Sequence, residues 1–196
     1  MKNIIKNIYL FSILGVIFML NSYGCADHFK YAKFSGKEPE LNITIDYISS
    51  WLHREHKQID NRYASVVFFE NIQNNNYKAK MAVTISDNLK SEASLSNLEE
   101  MVNDLVAKRL KFKDAKLLST AKAVIFGSDA REAVFTYKAM SKFYSKDAKL
   151  MPVKERIFIF KRGDKHYLLR YENSLEEFDK YNPAFTHIVK TISIND

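Results

Sequence analysis

The sequence predicts an α+β domain in which an antiparallel β-sheet is covered by helices, an α/β/α sandwich. Apolar and polar residues alternate in several short runs, a pattern that is typical of β-strands. Turn-forming residues join consecutive runs closely enough for antiparallel hairpins. Segments in the middle and at the end of the chain instead repeat apolar residues at helical spacing.

The first strands are predicted from alternation and from β-branched and aromatic content. Residues 43–47 alternate apolar and polar side chains, and Trp51 follows near the end of this strand. Residues 63–71 are rich in β-branched and aromatic side chains, and residues 78–86 alternate again. Because the asparagines at 74–76 tolerate left-handed backbone, the two runs are expected to form a hairpin.

The middle helix is predicted over residues 98–110, where apolar side chains recur along one face. Ser96 and Glu99 match a capping box, in which the hydroxyl accepts a backbone N–H of the first turn and the carboxylate reaches back. Polar residues occupy the opposite side of the helix. We therefore expect its apolar face to pack on the sheet.

The next region predicts two more hairpins. Turn residues separate residues 115–126 from 131–140, and they separate 153–161 from 165–171. In the run at 153–161 both alternating sets of side chains are apolar. This strand is therefore expected to be central in the sheet and covered on both faces.

The last helix is predicted near the C-terminus. Ser174 and Glu177 match a second capping box. Asn182 is then expected to cap a helix whose first position is Pro183, where the missing N–H costs nothing. An apolar stripe continues to Ile192, so this helix is expected to cover the sheet together with the middle one.

The first residues have the pattern of an export signal. Lys2 and Lys6 precede an uncharged apolar run at 8–20, and a small-x-small exit follows at 22–24. The apolar run is shorter than the roughly 20 residues that a membrane-spanning helix needs. Residues 1–24 are therefore predicted to be a signal peptide that is removed on export, with an uncleaved N-terminal anchor as the alternative.

Cys25 is the single cysteine of the chain and follows this signal directly. Its position resembles that of the lipidated cysteine in bacterial lipoproteins, whose thiolate takes up diacylglycerol. An unpaired cysteine in an exported chain has no disulfide partner, which favours lipidation over an ordinary free thiol. Residues 25–41 are then expected to be the lipidated cysteine with a flexible tether, and residues 42–196 the folded domain.

The anchor and the charge suggest where the protein works and what it meets. A lipidated protein would face the periplasm or the cell exterior, and the non-acidic Ala26 slightly favours the outer membrane in a Gram-negative cell. The chain carries 30 Lys and Arg against 23 Asp and Glu, a net charge of +7. This excess fits anionic headgroups, acidic glycans or an acidic partner. Nucleic acid is not expected as a partner of an exported chain without a nucleic-acid motif.

The order of the elements carries a family resemblance. The matching pieces are ITIDY leading to Trp51, SLSNLEEMVNDLVAKRL, FGSDAREAVFTY, VKERIFIFKRGDKHYLLRYENSLEEFDKY and NPAFTHIVKTISI. In this order they resemble the PsbP-like domain of photosystem oxygen-evolving-complex proteins, bacterial envelope lipoproteins and a nuclear-import Ran-binding family. The resemblance implies a binding or assembly module without shared catalytic residues, and it implies no photosynthetic role.

His53 and His56 are weak candidates for a metal site. On a helix, two histidines at this spacing share a face and could bind zinc with Glu55 or a distant acid. The spacing matches no zinc-protease motif. A solvated loop after Trp51 is therefore the favoured interpretation.

The candidate binding surface is basic. The connection between the strands at 131–140 and 153–161 is longer than a simple hairpin and mixes lysines with aromatic residues. The residues expected to contact a partner or a membrane are Lys138, Lys142, Phe143, Tyr144, Lys146 and Lys149. A solvated, extended hairpin is the alternative. A second basic cluster, within residues 108–116, closes the middle helix, where the helix dipole favours cations.

These observations together predict an exported lipoprotein whose lipid-anchored domain binds or assembles an envelope partner without catalysis. Two alternatives remain open at this level. One is an envelope hydrolase that uses a metal at His53 and His56, and the other is a carrier for a small apolar ligand between sheet and helix. No cofactor is predicted.

Overall fold

The computed structural model describes residues 29–37, 39–57, 63–71, 77–87, 97–141 and 148–194. Its strands are β1 (Tyr31–Ser35), β2 (Ile43–Ile48), β3 (Leu52–Lys57), β4 (Tyr63–Phe69), β5 (Lys80–Asp87), β6 (Lys116–Ile125), β7 (Ser128–Met140), β8 (Leu150–Arg162), β9 (Lys165–Ser174) and β10 (Ser193–Ile194). Its helices are α1 (Leu98–Arg109) and α2 (Phe178–Thr191), and a 3-10 turn lies at Pro39–Leu41. The predicted signal peptide and Cys25 lie outside the described residues.

Two antiparallel sheets organise the described chain. The larger sheet has seven strands in the order β3-β4-β5-β9-β8-β7-β6, and the smaller has three in the order β1-β2-β10. The predicted hairpins are confirmed, since β4 pairs with β5, β6 with β7 and β8 with β9. No helix of the described residues is long and apolar enough to cross a membrane.

The large sheet is covered on both faces, which confirms the α+β sandwich. Ile157 and Ile159 of β8 point to one face and join a core that contains Met101 and Val102 of α1. The alternate residues of β8 point to the other face and pack in a core built with α2 and the small sheet. All four side chains at 157–160 are buried, as the doubly apolar run predicts.

Both helices exist where they are predicted, but their N-terminal ends differ. Asn97, one residue after the predicted cap, uses its side-chain oxygen to accept the Glu100 N–H at 2.9 Å; Ser96 lies outside the described residues. The helix α2 begins at Phe178 and includes Pro183, so the prediction that proline opens the helix is wrong. Asn182 does not cap, because it lies inside this helix, where its side-chain oxygen accepts a hydrogen bond from Arg156 at 3.0 Å.

The prediction that residues 25–41 form a flexible tether is wrong for residues 31–35 and 39–41. Tyr31–Ser35 forms β1 and pairs with β2 in a register that places Phe34 opposite Ile45. Phe34 and Leu41 are buried in the core, so this part of the chain belongs to the domain. The sequence pattern hides the strand because it is short and carries exposed Lys33 between its packed residues, a feature of edge strands.

Candidate functional site

The histidine pair does not form the arrangement that a metal site needs. His53 and His56 lie in β3, an extended strand, so neither a helix nor a loop holds them. Residues three apart in a strand point to opposite faces, which separates the two rings. The His53 ring instead lies against Phe34, with ring centroids 5.2 Å apart. Within the described residues, no group of three or more His, Cys, Asp or Glu side chains is placed to hold a metal.

The two ends of the predicted basic connection belong to strands β7 and β8 or lie directly beside them. The strand β7 extends to Met140 and β8 begins at Leu150, and Ser141 donates its N–H to the Lys149 carbonyl at 2.8 Å. Lys138 lies within β7, and Lys149 directly precedes β8. The other residues of the prediction lie outside the described residues: Lys142, Phe143, Tyr144 and Lys146.

Lys138 connects this hairpin to the second basic cluster. Its backbone N–H donates to the carbonyl of Lys113 at 2.8 Å, and its ammonium lies 2.8 Å from a carboxylate oxygen of Asp114. The hydrogen bond and charge of Lys138 lower the pKa of Asp114. The hairpin and the α1–β6 connection are therefore side by side, in continuation of the β6–β7 pairing that places Lys116 opposite Thr136.

We call the resulting surface the basic end. Its exposed lysines alternate with apolar side chains that are also exposed, between 42% and 44% of their reference area. The residues of the basic end are Lys111, Phe112, Lys113, Lys138, Met140, Lys149 and Leu150. Such a mixture of cations and exposed apolar groups suits contact with an anionic surface that has an apolar interior.

The first described residues lie toward the same end of the sheet. The ring of Phe29 is 5.5 Å from that of Tyr181, whose hydroxyl donates to Glu70. Glu70 directly follows β4, at the sheet end toward which β7 and β8 extend to form their hairpin. Phe29, the first described residue, therefore lies toward the sheet end that carries the basic end.

A buried carboxylate lies beneath the last turn of α1. Glu155 of β8 has no exposed surface and receives two hydrogen bonds from Arg109, at 2.7 and 3.0 Å. Burial raises the pKa of Glu155, while the hydrogen bonds and charge of Arg109 act in the opposite direction. This two-point contact joins α1 to the sheet.

A second buried carboxylate, Glu172 of β9, stands directly opposite Glu155 across the strands. It accepts hydrogen bonds from Tyr77 at 2.8 Å, Lys80 at 3.0 Å and Tyr137 at 3.2 Å. Burial alone would raise the pKa of Glu172, but the charges of Arg170 and Lys80 and these hydrogen bonds outweigh it and lower the pKa to about 2. Arg170 lies 3.6 Å from Glu155 and 3.8 Å from Glu172, so its charge offsets the repulsion between the two carboxylates, and the arrangement holds the fold together.

Burial and the negative charge of Glu172 also act on the two tyrosines. Both raise the pKa values of Tyr77 and Tyr137 well above the usual range of a phenol. The tyrosines therefore remain protonated and continue to donate to Glu172 across the physiological range.

Sequence reasoning misses this buried charge group. The signal that could have found it is the alternation within β8, where Val153, Glu155, Ile157 and Ile159 share one face. A glutamate among three buried aliphatic residues requires a cationic partner. The partners come from α1 and β9, and their identity depends on tertiary structure rather than on local pattern.

An apolar cleft of about 280 Å³ lies between α1 and the same face of the sheet. Met101 and Leu105 of α1 form one wall, and Ile159 and Leu168 contribute from the strands. His166 of β9 also lines the cleft and is only 7% exposed. Among the described residues nothing forms a hydrogen bond with its buried Nδ1 atom.

Comparison with solved structures identifies the architecture. The chain superposes on cyanobacterial PsbP (CyanoP) from Synechocystis with a TM-score of 0.57, over 88% of this chain and 96% of that one, at 11% sequence identity. The chain has the PsbP/Mog1-like fold. The family resemblance seen in the sequence is thereby confirmed at the level of the fold.

Other PsbP/Mog1-like structures align over a similar extent. LpqN of Mycobacterium tuberculosis, described as involved in cell envelope biogenesis, gives a TM-score of 0.51 at 12% identity, covering 87% of this chain and 93% of its own. The Ran-binding protein Mog1p of Saccharomyces cerevisiae also gives 0.51, at 10% identity, covering 86% of this chain and 97% of its own. No family profile and no curated protein matches the sequence.

Proposed function

We propose that this PsbP/Mog1-like protein is an exported, lipid-anchored module that binds or assembles partners at the bacterial cell envelope without catalysis. The fold supports a binding role, since solved structures with this fold include a Ran-binding protein and a protein of envelope biogenesis. The sequence supports export and lipid attachment through the signal at 1–24 and through Cys25.

One observation carries the proposal, the hydrogen bond between the Lys138 N–H and the Lys113 carbonyl at 2.8 Å. It unites two basic stretches into the basic end, where lysines surround exposed Phe112, Met140 and Leu150. Each lysine near an anionic membrane contributes about 1 kcal/mol to attraction. The basic end therefore suits a position on anionic headgroups.

The anchor would reach the same surface. Cys25 precedes Phe29 by four residues, and an extended chain spans at most about 3.6 Å per residue. Cys25 would thus lie within roughly 15 Å of Phe29, on the side of the sheet end that carries the lysines. A lipid and a basic patch acting together give more stable membrane attachment than either alone.

The first experiment tests the anchor. The full chain is expressed in a bacterium, and the purified protein is analysed by intact mass spectrometry beside Cys25→Ser. We expect the wild-type protein to lack residues 1–24 and to carry acyl chains on Cys25, and the variant to carry none. A wild-type protein that still begins at Met1, free of lipid, would contradict the proposal.

The second experiment tests the basic end. Unacylated Cys25→Ser protein is titrated with phosphatidylglycerol vesicles and with neutral phosphatidylcholine vesicles. Replacing Lys111, Lys113 and Lys149 with Gln is expected to weaken binding to the anionic vesicles by roughly tenfold or more. The matched control replaces three exposed lysines elsewhere: Lys122, Lys161 and Lys190. Equal losses in both variants would show that net charge, rather than this surface, determines binding.

A further inference from the structure

We propose that the cleft between α1 and the sheet binds a small, mostly apolar molecule with one hydroxyl group, and that the hydroxyl pairs with His166. This goes beyond the proposed envelope role, because it assigns a ligand site that is separate from the basic end. His166 lies six positions before Glu172 on β9, in the direction away from the basic end.

The size and lining of the cleft define the apolar part of the ligand. Met101 and Leu105 face Ile159 and Leu168 across a volume of about 280 Å³. Ligand sites for drug-sized molecules begin at about 300 Å³, so a shorter or slimmer molecule fits here. The aliphatic and thioether walls select an alkyl chain over a charged or strongly hydrated group.

His166 supplies the polar contact that orients the ligand. Its side chain is buried and lines the cleft, yet its Nδ1 has no hydrogen-bond partner among the described residues. A buried polar atom without a partner lowers stability, and folded proteins retain few of them. Because Nδ1 itself is buried, the imidazole would turn about its Cβ–Cγ bond to bring the ring nitrogen to a ligand hydroxyl in the cleft.

The neighbouring groups favour a hydroxyl over a carboxylate. Burial, assisted by the charge of Lys161, lowers the pKa of His166, so the ring is neutral near pH 7. A hydroxyl can donate or accept and therefore satisfies either tautomer of a neutral imidazole. The Thr84 and Ser86 hydroxyls line the same cleft and offer further partners of this type.

Charge at the cleft also disfavours an acidic ligand. Lys108, a cation of the lining, lies 2.8 Å from Asp104, which lines the cleft as well. A ligand carboxylate would therefore compete with Asp104 for Lys108 and would be repelled by the carboxylate of Asp104. An alcohol meets no such cost.

The test uses 1-octanol, octanoate and 1-chlorooctane with the purified wild-type protein. Binding is followed by the NMR signals of the Met101 methyl group and the His166 ring. We expect saturable binding of 1-octanol that shifts both signals, and affinities roughly tenfold lower for octanoate and for 1-chlorooctane, which lack a neutral hydroxyl. Equal affinities for the three compounds, or shifts that bypass both residues, would overturn the proposal.

Two variants and one control locate the site. His166→Phe is expected to lower the affinity for 1-octanol about fivefold to tenfold and to leave that for 1-chlorooctane unchanged. Leu105→Trp should fill the cleft and abolish binding of both. Leu118→Trp, on the exposed strand β6, is the matched control and should bind as the wild type does. Undiminished 1-octanol binding by folded Leu105→Trp would overturn the proposal. If the variants do not fold, the comparison of the three compounds with the wild-type protein decides it.

Discussion

Two groups of buried polar side chains beneath α1 differ in their hydrogen bonding. At the last turn of the helix, Glu155 and Glu172 are surrounded by donors from α1, β5, β7 and β9. Farther along the same sheet face, His166 is buried beside the cleft with its Nδ1 unpaired among the described residues. All described contacts of Glu155 and Glu172 between α1 and the sheet thus have partners, and we call this group of contacts the α1–sheet joint. The cleft beside it contains a buried nitrogen, His166 Nδ1, that has no partner among the described residues.

The difference separates polar groups that maintain a fold from those available to a ligand. A buried carboxylate is tolerated only when cations and hydroxyls replace the water that it lost. A neutral imidazole costs less to bury, so a fold can keep one without a partner. Perturbed titration alone would mark Glu172 as a functional candidate, whereas its contacts assign it a structural role.

The largest expected loss of stability comes from removing Arg109, the cation that contacts Glu155 in the α1–sheet joint. Arg109→Ala leaves Glu155 buried with its main partner missing, and the free energy of unfolding should fall by about 3–5 kcal/mol. Urea denaturation followed by circular dichroism measures this loss. A loss below about 1 kcal/mol would show that water replaces the arginine and that the joint is not buried in solution.

Acid should weaken the same joint through Glu172. Its pKa is about 2 in the folded protein against 4.5 as the reference value, so its charged form stabilises the fold above pH 4.5. That stabilisation, roughly 3 kcal/mol, is lost as the pH falls toward 2. Glu155 acts in the opposite direction, because its pKa is raised.

Urea denaturation at several pH values tests this dependence. Glu172→Gln should be less stable than the wild type at neutral pH and should lose less stability between pH 5 and pH 2. Parallel pH profiles for the two proteins would assign the acid sensitivity to other carboxylates.

Replacing the buried histidine of the cleft should raise the stability of the protein rather than lower it. His166→Phe removes the unpaired nitrogen and keeps a ring of similar size, so the protein should gain about 1 kcal/mol of stability while it loses affinity for 1-octanol. Thermal unfolding without ligand measures the gain. A clear loss of stability would mean that the imidazole has a structural partner, and His166→Leu then distinguishes this from overpacking.

The smallest effect is expected at the exposed pair beside the cleft. Lys108 and Asp104 are 64% and 39% exposed, so their ion pair is largely solvated. Lys108→Ala should change the free energy of unfolding by less than about 0.5 kcal/mol, in contrast to the adjacent Arg109. A large loss would remove the distinction between the two basic side chains of this turn.

Local pattern was sufficient for most of the fold. The turns at 127–129 and 162–164 and the doubly apolar β8 predict the hairpins and the covered sheet. The pattern fails at β1, where Lys33 hides a strand that β2 stabilises by pairing. It also fails at the start of α2, which begins at Phe178 and so places Asn182 inside the helix, in contact with Arg156.

The sites were predictable only in part. A basic connection could be seen in the sequence, and its position beside the α1–β6 connection follows from the β6–β7 pairing that places Lys116 opposite Thr136. The partners of Glu155 and the isolation of His166 depend on how α1 crosses the sheet. Such relations between distant residues leave no local periodicity in a single sequence.

The edge strand β6 affects whether two copies of the protein can pair through their sheets. Its pairing with β7 passes from Leu117–Phe135 to Ser119–Val134, so Leu118 is an additional residue that interrupts the ladder. A bulge of this kind twists an open edge, and Lys116 and Lys122 add mutual repulsion. The bulge and these lysines therefore oppose edge-to-edge pairing of two copies at β6, where Leu118 and Val124 are exposed.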